Sequence, residues 1–234
     1  MKHIVSFSGG KDSTAMLLMM LEKGMQVDEL VFLDTGMEFP EMYEHIDAVE
    51  AYTGLSITRL KSEKTWDYLF SEHIRTRGPY AGQRGYGWPS MLRRWCTRSL
   101  KQEPVRKWLR QFGGDFVQYI GIAADEPKRV KHDPKFKERY PLVDWGVTER
   151  QALEYCYAHG FRWGGLYELT PRVSCYLCPM QSIGSWRNLR KHRPELWARA
   201  LEYDSKSSYQ LNTRWSLHDL EERFKREGEE LNLY

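Results

Sequence analysis

The stretch Ser6-Phe7-Ser8-Gly9-Gly10-Lys11-Asp12-Ser13-Thr14, directly after Lys2–Val5, constrains this chain more than any other feature. It reads as a short buried strand, a glycine turn and the N-terminus of a helix running from about Asp12 to Glu22. Two glycines let the backbone approach a ligand closely, and the first amides of the helix have no intrahelical acceptor. Those amides and the positive end of the helix dipole face the same point, and Lys11 adds a charge. The combination is an anion cradle suited to a pyrophosphate. It is not a Walker A loop, because position 5 is Val and Asp12 follows the lysine where Ser or Thr would stand.

Further strand-like runs fall at Glu29–Asp34, Ser56–Leu60 and Phe116–Ala123, separated by helical patterns at Glu41–Tyr52 and Leu100–Gln111. Strands alternating with helices predict an α/β fold, a doubly wound and mostly parallel sheet covered on both faces. Thr148-Glu149-Arg150-Gln151 is a capping-box sequence that starts a helix ending at His159-Gly160. The chain then predicts a helix over Gly184–Tyr203, interrupted near Pro194, and another over Ser216–Gly228 with Ser216 as N-cap. Leu217, Leu220 and Phe224 form the apolar stripe of the latter. The expected organisation is a domain over residues 1–180 and a C-terminal helical extension over 181–234.

With 41% hydrophobic and 29% charged residues, the composition is that of a globular protein. The longest apolar run, Ala15–Leu21, is too short to cross a bilayer, so no membrane partner is expected. Strand and turn begin almost at Met1, and the expected compartment is a reducing cytoplasm. Four cysteines there point to thiols or metal ligands rather than disulfides. Net charge is only +3, but eight basic residues lie between Arg84 and Arg110 against one acid, Glu103. Tyr86, Trp88, Trp95 and Trp108 are interleaved with them. That patch either holds a phosphorylated or nucleic-acid partner or is a solvated helix face with its tryptophans in the core. The Gly/Pro/Arg/aromatic stretch Arg75–Trp95 is read as a functional loop covering the site.

Ser8-Gly9-Gly10-Lys11-Asp12-Ser13 resembles the PP-loop of the ATP pyrophosphatase superfamily, whose members split ATP between its α and β phosphates. Leu30-Val31-Phe32-Leu33-Asp34-Thr35-Gly36-Met37-Glu38-Phe39-Pro40-Glu41 is similar to the strand and loop of phosphoadenosine-phosphosulfate (PAPS) reductase-like proteins. The resemblance covers about the first 180 residues and implies an adenine nucleotide alpha-hydrolase-like sheet. It implies an adenine-nucleotide site, with ATP and Mg²⁺, on Ser6, Ser8, Gly9, Gly10, Lys11, Asp12, Ser13, Thr14, Asp34, Thr35, Gly36 and Gly121. Lys11, Asp12, Asp34 and Arg129 are the expected catalytic residues. Asp125 and Glu126, beside Arg129 after the last strand, are weaker candidates, with loop ion pairing as the plain alternative.

Trp95-Cys96-Thr97-Arg98 and Cys175-Tyr176-Leu177-Cys178-Pro179 resemble the two cluster-ligand segments of adenylylsulfate (APS) reductases. Those enzymes carry two adjacent cysteines at the first segment, whereas this chain has Trp95-Cys96. The resemblance therefore implies a [4Fe–4S] cluster on three thiolates, Cys96, Cys175 and Cys178, with one iron open. The alternatives are a structural Zn²⁺ with His192 or Cys156 as fourth ligand, or no metal. Cys156 itself lies on a predicted helix and reads as an inert buried thiol.

The leading expectation is an ATP-dependent sulfurtransferase-type enzyme that adenylates an acceptor, a nucleobase free or in nucleic acid, and inserts sulfur from a sulfur donor. One alternative is an APS/PAPS reductase-type enzyme. Against it, such reductases use a cysteine in a C-terminal Glu-Cys-Gly-type tail, and no cysteine follows Cys178 here. A second alternative is a nucleotide-binding subunit of a nucleic-acid-modifying assembly with structural zinc. A homodimer is one candidate assembly. Arg187, Arg190, Lys191, His192 and Arg193 form a further basic cluster, either for an acidic partner or simply solvated.

Overall fold

The computed structural model describes residues 1–130 and 137–231, with side chains to 228. Five strands, β1 (Lys2–Phe7), β2 (Glu29–Asp34), β3 (Ile57–Lys61), β4 (Phe116–Ile120) and β5 (Glu138–Arg139), form one sheet in the order β3-β2-β1-β4-β5. Every pairing is parallel, with Val5 beside Leu30 on one side and beside Tyr119 on the other. Successive crossovers run from β1 outward to β3, and the chain then returns to β4 on the other side of β1. The switch point thus falls between β1 and β4, where open α/β sheets leave a crevice at the strands' C-terminal ends.

Helices α1 (Lys11–Glu22) and α2 (Pro40–Thr53) make the first two crossovers, and α3 (Glu103–Leu109) precedes β4. Side chains alternate across a strand, so one strand feeds two cores. Phe7 points to α2, its ring 6.4 Å from that of His45. Ile4 and Val31 point the other way, into a cluster with Leu109 and Phe116. Both faces are covered, so the strands read as apolar runs.

Two expected elements change form. The helix predicted over Leu100–Gln111 is a π-helical turn (Thr97–Gln102), then α3, then a 3-10 turn (Arg110–Phe112). Pro104 lies in the first turn of α3; it lacks an N–H, and the α ladder restarts around it. The strand expected to reach Ala123 stops at Ile120, where Ile122 N–H donates to the Ile120 carbonyl at 3.0 Å and turns the chain out of the sheet. The short helices α4 (Pro141–Asp144) and α6 (Leu166–Leu169) flank α5 (Glu149–Ala158). The capping box on α5 forms as expected, Thr148 accepting from the Gln151 amide. Three helices follow, α7 (Ile183–His192), α8 (Pro194–Lys206) and α9 (Leu217–Leu231), with the break at Pro194 and Ser216 capping α9 through the Asp219 amide at 3.1 Å.

The chain divides into two compact units. One comprises Met1–Asp34, Glu38–Lys61 and Lys101–Ser174, and carries the sheet. The other comprises Thr35–Met37, Ser62–Leu100 and the chain from Cys175 on. The second has its own aromatic core: Trp66, Phe70, Trp88 and Trp95 are buried, and Trp88 Nε1 donates to Asp204 of α8 at 2.8 Å. Leu217, Leu220 and Phe224 are buried as the stripe predicted. Among the described residues no helix is long and apolar enough to cross a membrane.

Gly121 is where β4 leaves the sheet to cross the start of α1. A Cβ there would lie 2.8 Å from both Cα and N of Ser13, backbone atoms that cannot swing aside. Gly121→Ala is expected to cost roughly 1–3 kcal/mol, read as a lowered midpoint in urea or thermal unfolding.

Candidate functional site

The turn between β1 and α1 is built by pinning its carbonyls. Gly9 has φ of 76°, a conformation open to glycine, and its carbonyl accepts a 2.7 Å hydrogen bond from Trp163 Nε1. The Gly10 carbonyl accepts from the Thr14 amide at 3.0 Å, the Ser13 hydroxyl at 3.0 Å and the Thr14 hydroxyl at 3.1 Å. With both oxygens held by these donors, the amides of Asp12 and Ser13 are left with no intrahelical acceptor. The Ser8 amide and hydroxyl both bond the Ser13 hydroxyl, at 3.2 and 3.0 Å. Ser6 accepts from the Gln118 side chain of β4, which ties the strand end across the switch point.

A buried aromatic layer supports this turn. His45 stacks on Trp163 at 4.3 Å between centroids, and its Nε2 lies 3.0 Å from the Thr14 hydroxyl. The Thr14 proton goes to the Gly10 carbonyl, so His45 is the donor to Thr14 and carries its proton on Nε2. Burial pulls its imidazole down to about 3. Trp163 is the sole non-glycine among the described residues with positive φ, 48°. The Tyr167 hydroxyl accepts from the Lys11 amide at 2.8 Å, and burial pushes that hydroxyl's pKa upward.

Lys11 is 7% exposed, and its ammonium contacts Asp12 at 3.2 Å and Glu149 at 2.8 Å. Glu149 is the first residue of α5, and its amide donates to Asp125 at 3.0 Å. Burial raises the Asp12 carboxyl above its ordinary range, with Lys11 pulling against it and Glu149 and Glu126 adding to the rise. Arg129 sits on the 3-10 turn Pro127–Arg129, paired with Glu126. Asp34, 5% exposed at the end of β2, accepts from the Tyr43 hydroxyl at 2.8 Å and pairs with Lys61 at 3.0 Å. Beside the turn lies a cavity of about 110 Å³ lined by Ser6, Phe7, Ser8, Val31, Phe32, Leu33, Lys101 and Val105. Ser6, Ser8–Thr14 and Gly121 are therefore gathered at one switch point, and Asp34 ends the neighbouring strand.

Thr35 and Gly36 belong to the second unit, on the segment whose Met37 carbonyl accepts from the Tyr176 amide at 3.0 Å. Cys96, Cys175 and Cys178 also lie in that unit and are half-buried. Cys178 N–H donates to the Cys175 carbonyl at 3.0 Å, closing a tight Cys-x-x-Cys turn. Among the described residues, however, no three His, Cys, Asp or Glu side chains come together as a metal-holding group. Cys156 is buried in the first unit, its thiol donating to the Lys11 carbonyl at 3.4 Å, and burial pushes its pKa up to about 12. It is the inert thiol expected of it.

Glu149, His45, Trp163 and Tyr167 were not singled out as site residues from the sequence. Glu149 alone had a local signal, as the first helical residue of the capping box. The aromatics reach the turn from segments 31 to 156 residues away, where no spacing rule applies.

A parallel doubly wound sheet with an amide-presenting turn at its switch point defines a class of ligand-binding α/β domain. Within that class the chain belongs to the phosphoadenosine phosphosulfate reductase domain family, whose model matches residues 2–191. It is 28% identical over 213 residues to an uncharacterized protein of Methanocaldococcus jannaschii, covering 83% of this chain and 39% of that one. It is 32% identical over 165 residues to a nin region protein of phage lambda, covering 62% and 56%. It is 28% identical over 176 residues to adenosine 5'-phosphosulfate reductase 2 of Bacillus subtilis, covering 71% and 68%. The chain spans 39% of the M. jannaschii relative and 56% of the lambda relative. Among solved structures it shares its fold with a PAPS reductase from Candida auris in a phosphate complex, at 16% identity, TM-score 0.53 and coverage of 74% and 80%.

Two outcomes follow from the support layer. Trp163→Phe keeps the ring but leaves the Gly9 carbonyl unpaired, which costs roughly 1–3 kcal/mol; isothermal titration with pyrophosphate is expected to show weaker binding. His45 stays neutral from its ordinary 6.5 down to about 3, so the stability it contributes is fully present above 6.5 and is lost as pH falls through that window. Between pH 7 and pH 5 the protein is expected to lose about 2 kcal/mol more than a His45→Gln variant, measured by urea unfolding at both pH values.

Proposed function

We propose that this chain is an enzyme that binds ATP on the turn Ser8–Thr14 and cleaves it between the α and β phosphates to activate an acceptor for sulfur insertion. The observation that carries the reading is the turn itself: two pinned glycine carbonyls, the Asp12 and Ser13 amides with no intrahelical acceptor, and the buried Lys11 at the sheet's switch point. Phosphate oxygens would take the amides of Asp12 and Ser13, and Lys11 would exchange part of its contact with Asp12 and Glu149 for the leaving pyrophosphate. The apolar cavity bounded by Phe7, Phe32 and Leu33 suits a purine ring. Asp12, Asp34 and Glu149 are the carboxylates available to a Mg²⁺ held by the phosphates.

An oxygen of the acceptor carbonyl attacks the α-phosphorus, and the bond from that phosphorus to the bridging oxygen breaks as pyrophosphate leaves. A reduced sulfur nucleophile then attacks the activated carbon, and AMP departs with the former carbonyl oxygen. Arg129 would meet charge on the nucleotide by releasing Glu126. We assign Cys96, Cys175 and Cys178 as ligands of an iron–sulfur cluster on the chemistry of the Cys-x-x-Cys turn and the third thiol in the same unit. When bound, a cluster with an open iron would supply a site for sulfide.

A second reading, reduction of a sulfonucleotide to sulfite, draws support from the relation to the B. subtilis enzyme. The two are separated by product. Anaerobically prepared protein with ATP, Mg²⁺ and nucleoside or nucleic-acid acceptors is expected to release pyrophosphate, and Lys11→Ala to slow that release about a hundredfold or more. Sulfite from APS or PAPS with a thiol reductant, and no pyrophosphate from ATP, would replace the first reading by the second. Iron and acid-labile sulfide analysis, with Cys96→Ala as control, tests the ligand assignment; zinc without iron would overturn it.

A further inference from the structure

The second unit carries an arginine-rich surface of its own. Between Glu72 and Glu103 the chain has no Asp or Glu, and from His73 to Leu100 its basic residues are six arginines with no lysine. Arg77, Arg84 and Arg94 are exposed, and among the described residues no carboxylate pairs with them.

This segment is a built structure. The Arg75 amide donates to Gln83 O at 3.0 Å, Gly82 to Arg75 O at 2.8 Å and Gly85 to His73 O at 2.9 Å. Arg75, 7% exposed, donates to the Gly85 carbonyl and the Tyr209 hydroxyl, and its guanidinium lies 5.4, 5.3 and 4.9 Å from the rings of Tyr80, Tyr86 and Tyr209. Arg93 lies 4.2 Å over the Tyr209 ring. Ring faces attract a cation without neutralising it, so Arg75 and Arg93 keep their charge beside the exposed Arg77, Arg84 and Arg94. Next to these cations, Ser90 and Arg93 exchange backbone hydrogen bonds at 3.3 and 3.1 Å in a tight turn. That turn presents Met91, 67% exposed, and Leu92, 96% exposed.

We infer that this face binds single-stranded nucleic acid. A ribose-phosphate chain is the polyanion that also offers planar rings, and arginine is the cation that both forks onto phosphate and stacks on planes. Exposed Tyr80 offers a ring to a base, and the Met91–Leu92 tip is an apolar wedge of the sort that enters between bases. Uniform use of arginine, with aromatics among the cations, favours a strand with bases over an anionic lipid surface, for which lysine serves equally well. This deepens the proposed function by naming the class of acceptor, and rests on that reading only for the chemistry after binding.

The test is fluorescence anisotropy of labelled single-stranded RNA and DNA 20-mers, without ATP, against base-free polyphosphate and vesicles of phosphatidylserine and phosphatidylcholine. Expected are strand binding that weakens with salt, and a loss of about tenfold or more with a salt slope flattened by about 2 in the Arg77→Ala/Arg84→Ala/Arg94→Ala variant. Met91→Ser/Leu92→Ser is expected to weaken strand binding several-fold, to leave polyphosphate binding unchanged and, its side chains being exposed, to leave the melting temperature unchanged. Absence of strand binding at 50 mM salt, equal loss of strand and polyphosphate binding in the tip variant, or preference for the vesicles would each overturn the inference. Strand binding without pyrophosphate release would remove the proposed reaction alone, and pyrophosphate release without strand binding would remove this surface alone.

Discussion

Two carbonyl oxygens, those of Gly9 and Gly10, decide the character of the first unit. A peptide flip at either glycine would reverse that peptide's dipole and rearrange the turn. The fold prevents this with hydrogen bonds from Trp163, Ser13 and Thr14, and backs them with the His45 ring, which is held neutral by burial. The close passage of Gly121 over Ser13 completes the enclosure by bringing β4's exit against the helix start. The strand order places this junction where crossovers diverge.

The units manage buried charge in opposite ways. In the first, Lys11 is matched by Asp12 and Glu149, and Asp34 by Lys61 with a hydroxyl from Tyr43. Paired charges of this kind keep a site poised, since a ligand's phosphates can compete for the lysine while the carboxylates turn to a metal. In the second unit, Arg75 is buried among tyrosine rings instead. Desolvation is offset there by ring faces, the Gly85 carbonyl and the Tyr209 hydroxyl.

Much of the sheet was legible because apolar runs and turn signals are local. β1 and β2 match their expected bounds, β3 is offset by one residue, and the capping box placed α5. The break at Pro194 and the Leu217–Leu220–Phe224 stripe were likewise written in neighbouring residues. The two-residue β5 was not, because so short a strand has no period and forms only by pairing Gln118 and Tyr119 with Glu138 and Arg139. Trp88 and Trp95 left two readings open from sequence; burial against Phe70, Trp66 and α8 puts them in a core.

By itself the sequence determined the phosphate-type turn, since glycines, a lysine and hydroxyls at a strand-to-helix junction act through bonds within a few residues of one another. It also determined the α/β alternation, which follows from periodicity. Only the tertiary structure decided what holds that turn in place, because Trp163, Tyr167 and Glu149 reach it over chain separations at which spacing carries no directional information. It likewise decided that Cys96, Cys175 and Cys178 share one compact unit, because that grouping depends on how the second unit packs and not on the distance between residues along the chain.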